Sequence, residues 1–313
     1  MKIIVVGDYL IDRYRFYKQT RTDPANDNAP VVELLEEKSV NGGAGNLVRN
    51  IESLCGKEVQ FFYTGCFDEL PPGWIDHPTK VRHYVDDRFF LREDVNDGVG
   101  YDESVIDRCI DSIEHGDFVI VSDYHKGTIK KSDVVRIREE CHLKGAISFV
   151  DTNHIWDSHN NIDWLKVNLK TAQDFMKVEY RNGDSTMISK DIFEKTGSNV
   201  IVTLGDKGCV AYIKELGVNV IFTKDKDNNF IDSIGAGDSF LAGFVSYMAR
   251  WQGEAYLPAL VYGDIVAHLS TQQLGTIDVV SKSMSDEIYR NTKTNIVKGT
   301  GGKLYVHRSI DNV

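Results

Sequence analysis

Short, continuously apolar runs recur along the chain with amphipathic stretches between them, and this alternation limits the fold more than any other feature. Residues 3–6, 118–121, 147–150, 200–203 and 209–213 are dominated by β-branched and other apolar side chains. That is the pattern of strands covered on both faces. Between these runs, Leu47, Ile51 and Leu54 fall at i, i+4, i+7. Val105, Ile106, Cys109, Ile110 and Ile113 make a second stripe, and Phe240, Phe244, Tyr247, Met248 and Trp251 a third. Such spacing puts the apolar side chains on one helical face. Buried strands joined by helices pair in parallel, so the sequence predicts a doubly wound α/β fold, a mainly parallel sheet flanked by helices.

Two stretches, residues 9–35 and 80–94, break this rhythm by mixing aromatic, aliphatic and charged residues without helical period. Within them, Val31-Val32-Glu33-Leu34-Leu35 and His83-Tyr84-Val85 read as strands with a partly exposed face. They fit either a small β-lid protruding from the main sheet or ordinary long surface loops. No internal repeat, low-complexity tract or Pro/Ser-rich linker divides the sequence, and one domain over residues 1–313 is expected.

The chain carries 36 basic and 47 acidic side chains, a net charge of −11. That balance argues against binding nucleic acid by electrostatics. It leaves room for a small anionic substrate, because backbone amides and a few local cations can hold a phosphate. Cys55, Cys66, Cys109, Cys141 and Cys209 are widely spaced, with no CxxC, and read as buried thiols rather than disulfides. The opening Met1-Lys2-Ile3-Ile4-Val5-Val6-Gly7-Asp8 is too short for a signal-peptide core, and no apolar run is long enough to cross a bilayer. A cytoplasmic protein with no membrane partner is the expectation.

The segment Asp232-Ser233-Ile234-Gly235-Ala236-Gly237-Asp238 ends where the third amphipathic stripe begins, at about Asp238. Amides of Gly235, Ala236 and Gly237 can converge at the positive end of that helix, a place suited to an anion. Asp238 beside such a hole can take a proton from a hydroxyl attacking a phosphoryl group. Alone, the same residues would read as a glycine turn with an Asp N-cap. They are not alone: Asn41-Gly42-Gly43-Ala44-Gly45-Asn46 precedes a second helix, Gly7-Asp8 ends the first strand with Asp12 close behind, and Thr203-Leu204-Gly205-Asp206-Lys207-Gly208 follows another strand. Ligands of open α/β sheets bind beyond the strand C-termini, and these four turns together outline a polyanion-binding cleft.

Other nucleotide and metal motifs are missing. GxxxxGK[ST] does not occur. Gly43-Ala44-Gly45-Asn46-Leu47-Val48 has Val where a dinucleotide fingerprint needs its third glycine. His125, His154 and His268 lack metal-ligand spacing.

With both glycine signatures in place, the sequence resembles the ribokinase-like (PfkB) carbohydrate kinases. Gly42-Gly43-Ala44-Gly45-Asn46 is similar to the family's N-terminal signature, and Asp232 to Asp238 with Ala242-Gly243-Phe244 to its C-terminal one. Within the family, Val6-Gly7-Asp8-Tyr9-Leu10-Ile11-Asp12-Arg13-Tyr14, Ala29-Pro30-Val31-Val32, Ser122-Asp123-Tyr124-His125-Lys126-Gly127 and Leu274-Gly275-Thr276 resemble the heptose-7-phosphate kinase branch. Proteins of that branch carry a further nucleotidyltransferase domain, and the expectation from the 313 residues is a kinase domain without it.

The resemblance implies transfer of the γ-phosphate of ATP to a hydroxyl of a sugar or sugar phosphate, a heptose 7-phosphate-like acceptor in the first place. Asp238 would be the general base, with Gly235, Ala236 and Gly237 stabilising the transferred group. Asp12, Gly42, Gly43, Asn46 and Lys126 would bind the sugar. Asn168, Thr203, Gly205, Gly208 and Asp264 would line the nucleotide side. Mg2+ would accompany ATP, and Asp232 and Ser233 sit where relatives bind a monovalent cation such as K+. The resemblance also favours the β-lid, whose edges make a homodimer surface. Arg13, Arg88, Arg92 and Lys126 are candidate cations for a substrate phosphate, or simply solvated surface charges.

Two departures stand out. The family's Asn-x-x-Glu reads Asn168-Leu169-Lys170-Thr171 here, with Thr at the Glu position that helps organise Mg2+, and Gln173 and Asp174 nearby. Asp264 stands where relatives tend to have Asn near the adenine. The first departure motivates an alternative, a weakened or silent sugar- or nucleotide-binding homologue; retention of Asp238 argues against it.

Overall fold

The computed structural model describes residues 1–310 except 57, 65–76, 96, 97, 99, 156, 179–183, 225–228, 252–254 and 301. The chain begins with β1 (Ile3–Gly7), β2 (Tyr9–Asp23), β3 (Ala29–Gly43), α1 (Ala44–Cys55), β4 (Gln60–Phe62), β5 (Thr79–Val85), β6 (Arg88–Val95) and α2 (Glu103–Ser112). It continues through β7 (Phe118–Asp123), α3 (Lys131–Lys144), β8 (Ile147–Thr152), β9 (Trp164–Asn168), α4 (Leu169–Met176), α5 (Ile188–Thr196), β10 (Asn199–Thr203), β11 (Cys209–Ile213) and β12 (Val218–Lys224). The last elements are α6 (Ala236–Arg250), α7 (Tyr256–Ser270), α8 (Lys282–Asn291), β13 (Thr292–Lys298) and β14 (Lys303–Ile310).

Ten strands form the main sheet in the order β13-β14-β12-β11-β10-β9-β8-β7-β1-β4. From β4 to β10 every neighbouring pair is parallel. Antiparallel pairing enters at β10–β11, β11–β12 and β13–β14. This is the doubly wound, mainly parallel sheet that the apolar runs predict. The two-residue period of a strand sorts β1 between two cores: Ile3 and Val5 pack on one face with residues of α1, α6 and α7, and Ile4 and Val6 on the other with residues of α2, α3 and α5. On the first face, Phe244 is fully buried with its ring centroid 4.9 Å from that of Trp164, so truncating it to Ala would cost about 3–5 kcal/mol. Burial pushes the Cys109 thiol up to about 12, as expected of a cysteine in apolar packing. Cys66 lies outside the described residues.

The irregular stretches form a second sheet, β3-β2-β5-β6. Its long β2–β3 hairpin runs from Tyr9 paired with Gly43 out to Asp23 paired with Ala29. β3 thus reaches past residue 35 into the glycine turn before α1. Its outer part is exposed on both faces rather than one, with Leu34 and Leu35 more than half accessible. Among the described residues no helix is long and apolar enough to cross a membrane.

Candidate active site

The turns expected to bind a ligand meet at the C-terminal ends of the parallel strands, around Asp238. The segment 232–235 enters α6 through Gly235, whose φ of +78° is left-handed. A Cβ there would lie 2.6 Å from Thr276 Cγ2 and 3.0 Å from Asn46 Nδ2, so this tight junction needs glycine. Asp238 is the third residue of α6 and does not act as its N-cap. Its carboxylate points away from the helix: Asn46 Nδ2 donates to Oδ2 at 2.8 Å, and the Tyr124 hydroxyl donates to Oδ1. The residue is buried, and burial, reinforced by the Asp151 charge, pushes its carboxyl up to about 6. Lys166 and the two hydrogen bonds pull the other way. A base titrating there is ionised at neutral pH and still basic enough to accept a proton.

On one side of Asp238 a cavity of about 990 Å³ opens over the sheet, large enough for a nucleotide-sized ligand. Gly235, Ala236, Gly237, Asn168, Thr203, Gly205, Gly208, Ser233 and Asp264, all expected at the site, line it. The Ala236 amide donates to Ser233 O at 3.2 Å. The anion hole therefore rests on the other amides in the first turn of α6, which have no intrahelical acceptor. Asp264 is not free to act alone, since its carboxylate pairs with Arg308 at 2.9 Å and both side chains are buried. Asn168 caps α4 by accepting from Thr171 N at 2.9 Å. Thr171 itself is buried, its hydroxyl donating to Asn153 O at 3.2 Å.

On the other side, under the small sheet, lie the residues expected to hold the sugar. Asn46 reaches Asp238. Gly42 and Gly43 close β3 against Leu10 and Tyr9, and a Cβ on Gly42 would fall 2.5 Å from Asp12 Oδ2. Asp12 is buried with both oxygens engaged, Oδ1 by Arg82 NH1 at 2.6 Å and Oδ2 by Thr276 Oγ1 at 3.0 Å. Asp12 thereby fixes the small sheet to the turn after α7. Asp8 also carries internal bonds: its buried carboxylate accepts the amides of Tyr124, Lys126 and Thr128 at 2.7–3.0 Å and shapes the loop that carries Tyr124. Lys126 stands in that loop, half-buried. Asp232 accepts the amides of Ile234 at 3.0 Å and Gly275 at 3.1 Å, tying the turn before α6 to the one after α7.

Four residues without an expected role complete the site. Lys166 is buried and pairs with Asp151 at 2.7 Å, and its Nζ would lie 3.1 Å from a Cβ on Gly237, beside the anion hole. Its sequence signal is a lysine inside the apolar strand Trp164-Leu165-Lys166-Val167. Asp151 sits near the C-terminal end of a parallel strand, where ligand-binding side chains gather. Tyr124 lies in Ser122-Asp123-Tyr124-His125-Lys126-Gly127, yet nothing in its spacing shows the contact with Asp238. Lys80, from β5, lies with Nζ 5.1 Å from the Tyr124 ring centroid; burial lowers its pKa while Asp12 and Asp238 raise it.

A ten-stranded, mainly parallel sheet covered on both faces, with a small sheet beside its C-terminal edge, is the ribokinase-like fold. Solved structures share it. Phosphofructokinase-2 of Escherichia coli in complex with potassium superposes with a TM-score of 0.71 at 15% identity, over 92% of this chain and 98% of that one. Ribokinase of Thermotoga maritima gives 0.67 at 18%, over 93% and 99%. The family model for pfkB family carbohydrate kinases matches residues 97–283, more than half of the chain. The chain belongs to that family and is a carbohydrate kinase. Curated relatives include the bifunctional protein HldE of Coxiella burnetii (strain Dugway 5J108-111), 25% identical over 93% of this chain and 64% of that protein. The HldE of Campylobacter curvus (strain 525.92) is 26% identical over 91% and 66%. The chain thus spans just under two thirds of the length of these relatives.

Proposed function

We propose that this carbohydrate kinase transfers the γ-phosphate of ATP to a heptose 7-phosphate-like sugar phosphate, with Asp238 as general base. The observation that carries the reading is the place of Asp238: buried at the junction of the cavity and the space under the small sheet, with its carboxyl raised to about 6. An acceptor hydroxyl under the small sheet gives its proton to Asp238 as its oxygen attacks the γ-phosphorus, and ADP leaves on the cavity side. First-turn amides of α6 and the Lys166 ammonium face the charge that spreads over the transferred group, where positioning and electrostatics supply most of the catalysis. Thr203, Gly205, Gly208, Asn168 and Asp264 flank the nucleotide. Asn46, Gly42, Gly43 and Lys126 border the sugar, with Asp12 shaping its pocket through Arg82. The half-buried Lys80 supports an acceptor that carries negative charge.

The turn at Asp232 and Ser233 fits a monovalent cation, because it offers the Asp232 carboxylate, held by the Ile234 and Gly275 amides, next to the Ser233 hydroxyl. The usual Mg2+ position fits less well. Thr171 offers no carboxylate, and its hydroxyl is bonded to Asn153. Leu34, Leu35, Phe89 and Phe90, each more than half exposed on the small sheet, support a homodimer in which a second copy covers them. Sedimentation of the purified chain tests that.

ADP release with ATP and Mg2+ against a panel of sugars and sugar phosphates, with mass spectrometry of the products, tests the function. Turnover stimulated most by heptose 7-phosphates is expected. Binding of ATP without turnover on any acceptor would leave a binding protein instead.

A further inference from the structure

Asp238 is held at both oxygens by protein groups, Asn46 on Oδ2 and the Tyr124 hydroxyl on Oδ1. The two contacts differ in kind. Asn46 is itself fixed: its Oδ1 accepts from Asn50 Nδ2 at 3.1 Å, and both residues are buried in α1. Tyr124 has a fixed backbone, whose amide donates to Asp8 Oδ2 at 2.7 Å. Its side chain lines the cavity, with the Lys80 ammonium 5.1 Å from the ring centroid. The loop is thus held by its own backbone bonds and does not depend on the Tyr124 side chain. Its hydroxyl donates to the base as an acceptor hydroxyl must before it gives up a proton.

We propose that the Tyr124 hydroxyl is a placeholder for the acceptor hydroxyl on Asp238, a positioning group that withholds the base from water and yields it to the sugar. This rests on the reading of Asp238 as base. Without such a guard, a water can donate to Oδ1, pass its proton to Asp238 and form the new O–P bond, while the bridging P–O bond breaks and ADP leaves. Tyr124 does not compete as a base. Burial and the Asp238 charge push its phenol well above the usual range, so it stays a donor. The groups facing Asp238 come from every side: Asn46 of α1, Tyr124 after β7, Asp151 of β8, Lys166 of β9 and Lys80 of β5. Of these, Tyr124 is the one that donates to Oδ1.

Tyr124→Phe keeps the ring and removes the donor. ATP hydrolysed without acceptor, relative to ATP used with heptose 7-phosphate, should rise about tenfold or more, the scale of a hydrogen bond to a charged group. The acid limb of kcat/KM, which reports the free enzyme, should move to higher pH. That of kcat should stay, because Tyr124 has already left in the complex. A merely structural defect lowers both reactions and moves neither limb selectively. Unchanged hydrolysis with an unmoved limb, or a parallel fall of transfer and hydrolysis, overturns the proposal. Site-specific 2,3-difluorotyrosine at position 124, a stronger donor of similar shape, should act in the opposite sense, with less hydrolysis and a higher acceptor KM; no change in either overturns it too. Asp238→Asn separates the two readings. Retained turnover in that variant refutes the base itself, whereas loss of turnover there with no effect at Tyr124 refutes only the placeholder.

Discussion

Asn46 Nδ2 lies 2.8 Å from Asp238 Oδ2, joining two glycine-flanked helix starts that are 192 residues apart in sequence. Each helix brings its own turn: Gly43 precedes α1 and Gly235 precedes α6. The bond therefore sets the separation between the sugar side and the phosphate side of the site.

Asn46→Ala removes a donor that favours the ionised form of Asp238. The acid limb of the pH–rate profile, expected near 6 in the unaltered protein because the base must be ionised, should move upward by up to about one pH unit. Turnover at neutral pH should fall about tenfold or more. Initial rates between pH 5 and 8 check both.

Lys166→Met removes the ammonium beside the anion hole and leaves the half-buried Asp151 without its partner. The expected result is a turnover lower by about two orders of magnitude, together with a loss of stability of about 3 kcal/mol. Adding Asp151→Asn should restore most of the melting temperature and none of the turnover. Recovery of both would make the pair structural only.

Thr171→Glu places a carboxylate in the first turn of α4, where the helix end favours negative charge, beside residues that line the cavity. Half-maximal turnover should then need several-fold less Mg2+. An unchanged Mg2+ titration would show that this position has no part in metal handling.

Half of the main sheet was legible because strands covered on both faces must be apolar throughout: Cys209–Ile213 is found with the expected bounds, the other four predicted runs differ by one or two residues at their ends, and β4, β9, β12, β13 and β14 were not anticipated. The glycine turns were legible for a similar reason, since close backbone approach leaves no choice of residue at Gly235. Pairings across the chain were not. Nothing in the spacing of Asp12 shows that Arg82 and Thr276 occupy its oxygens, because that geometry depends on how the small sheet docks. Asp8 and Asp12 follow a strand C-terminus, where ligand-binding carboxylates gather, and the hydrogen bonds by which each also holds the structure around the site leave no trace in the spacing. Tyr124 and Lys166 escaped because their roles come from contacts that the loop after β7 and strand β9 make with α6, which the residue spacing in either segment does not show.

Asp238 carries a cost in stability, because its folded pKa of about 6 lies above its ordinary value of 3.8. Below about pH 4 the carboxyl is protonated in folded and unfolded chains alike. As pH rises through 6 the folded state loses stability relative to a side chain that does not titrate, on the order of 2–3 kcal/mol in full. Asp238→Asn should therefore melt several degrees higher than the unaltered chain at pH 7.5, and the gap should close towards pH 4. A gap independent of pH would contradict the raised carboxyl.

Single-turnover transfer from ATP to heptose 7-phosphate, followed in the unaltered chain and in Asp238→Asn with ATP and acceptor binding measured in parallel, tests the central claim most directly. The account predicts binding within a few-fold of the original for both ligands and a transfer step slower by at least about a thousandfold. Transfer at a near-original rate in the Asn variant would contradict it.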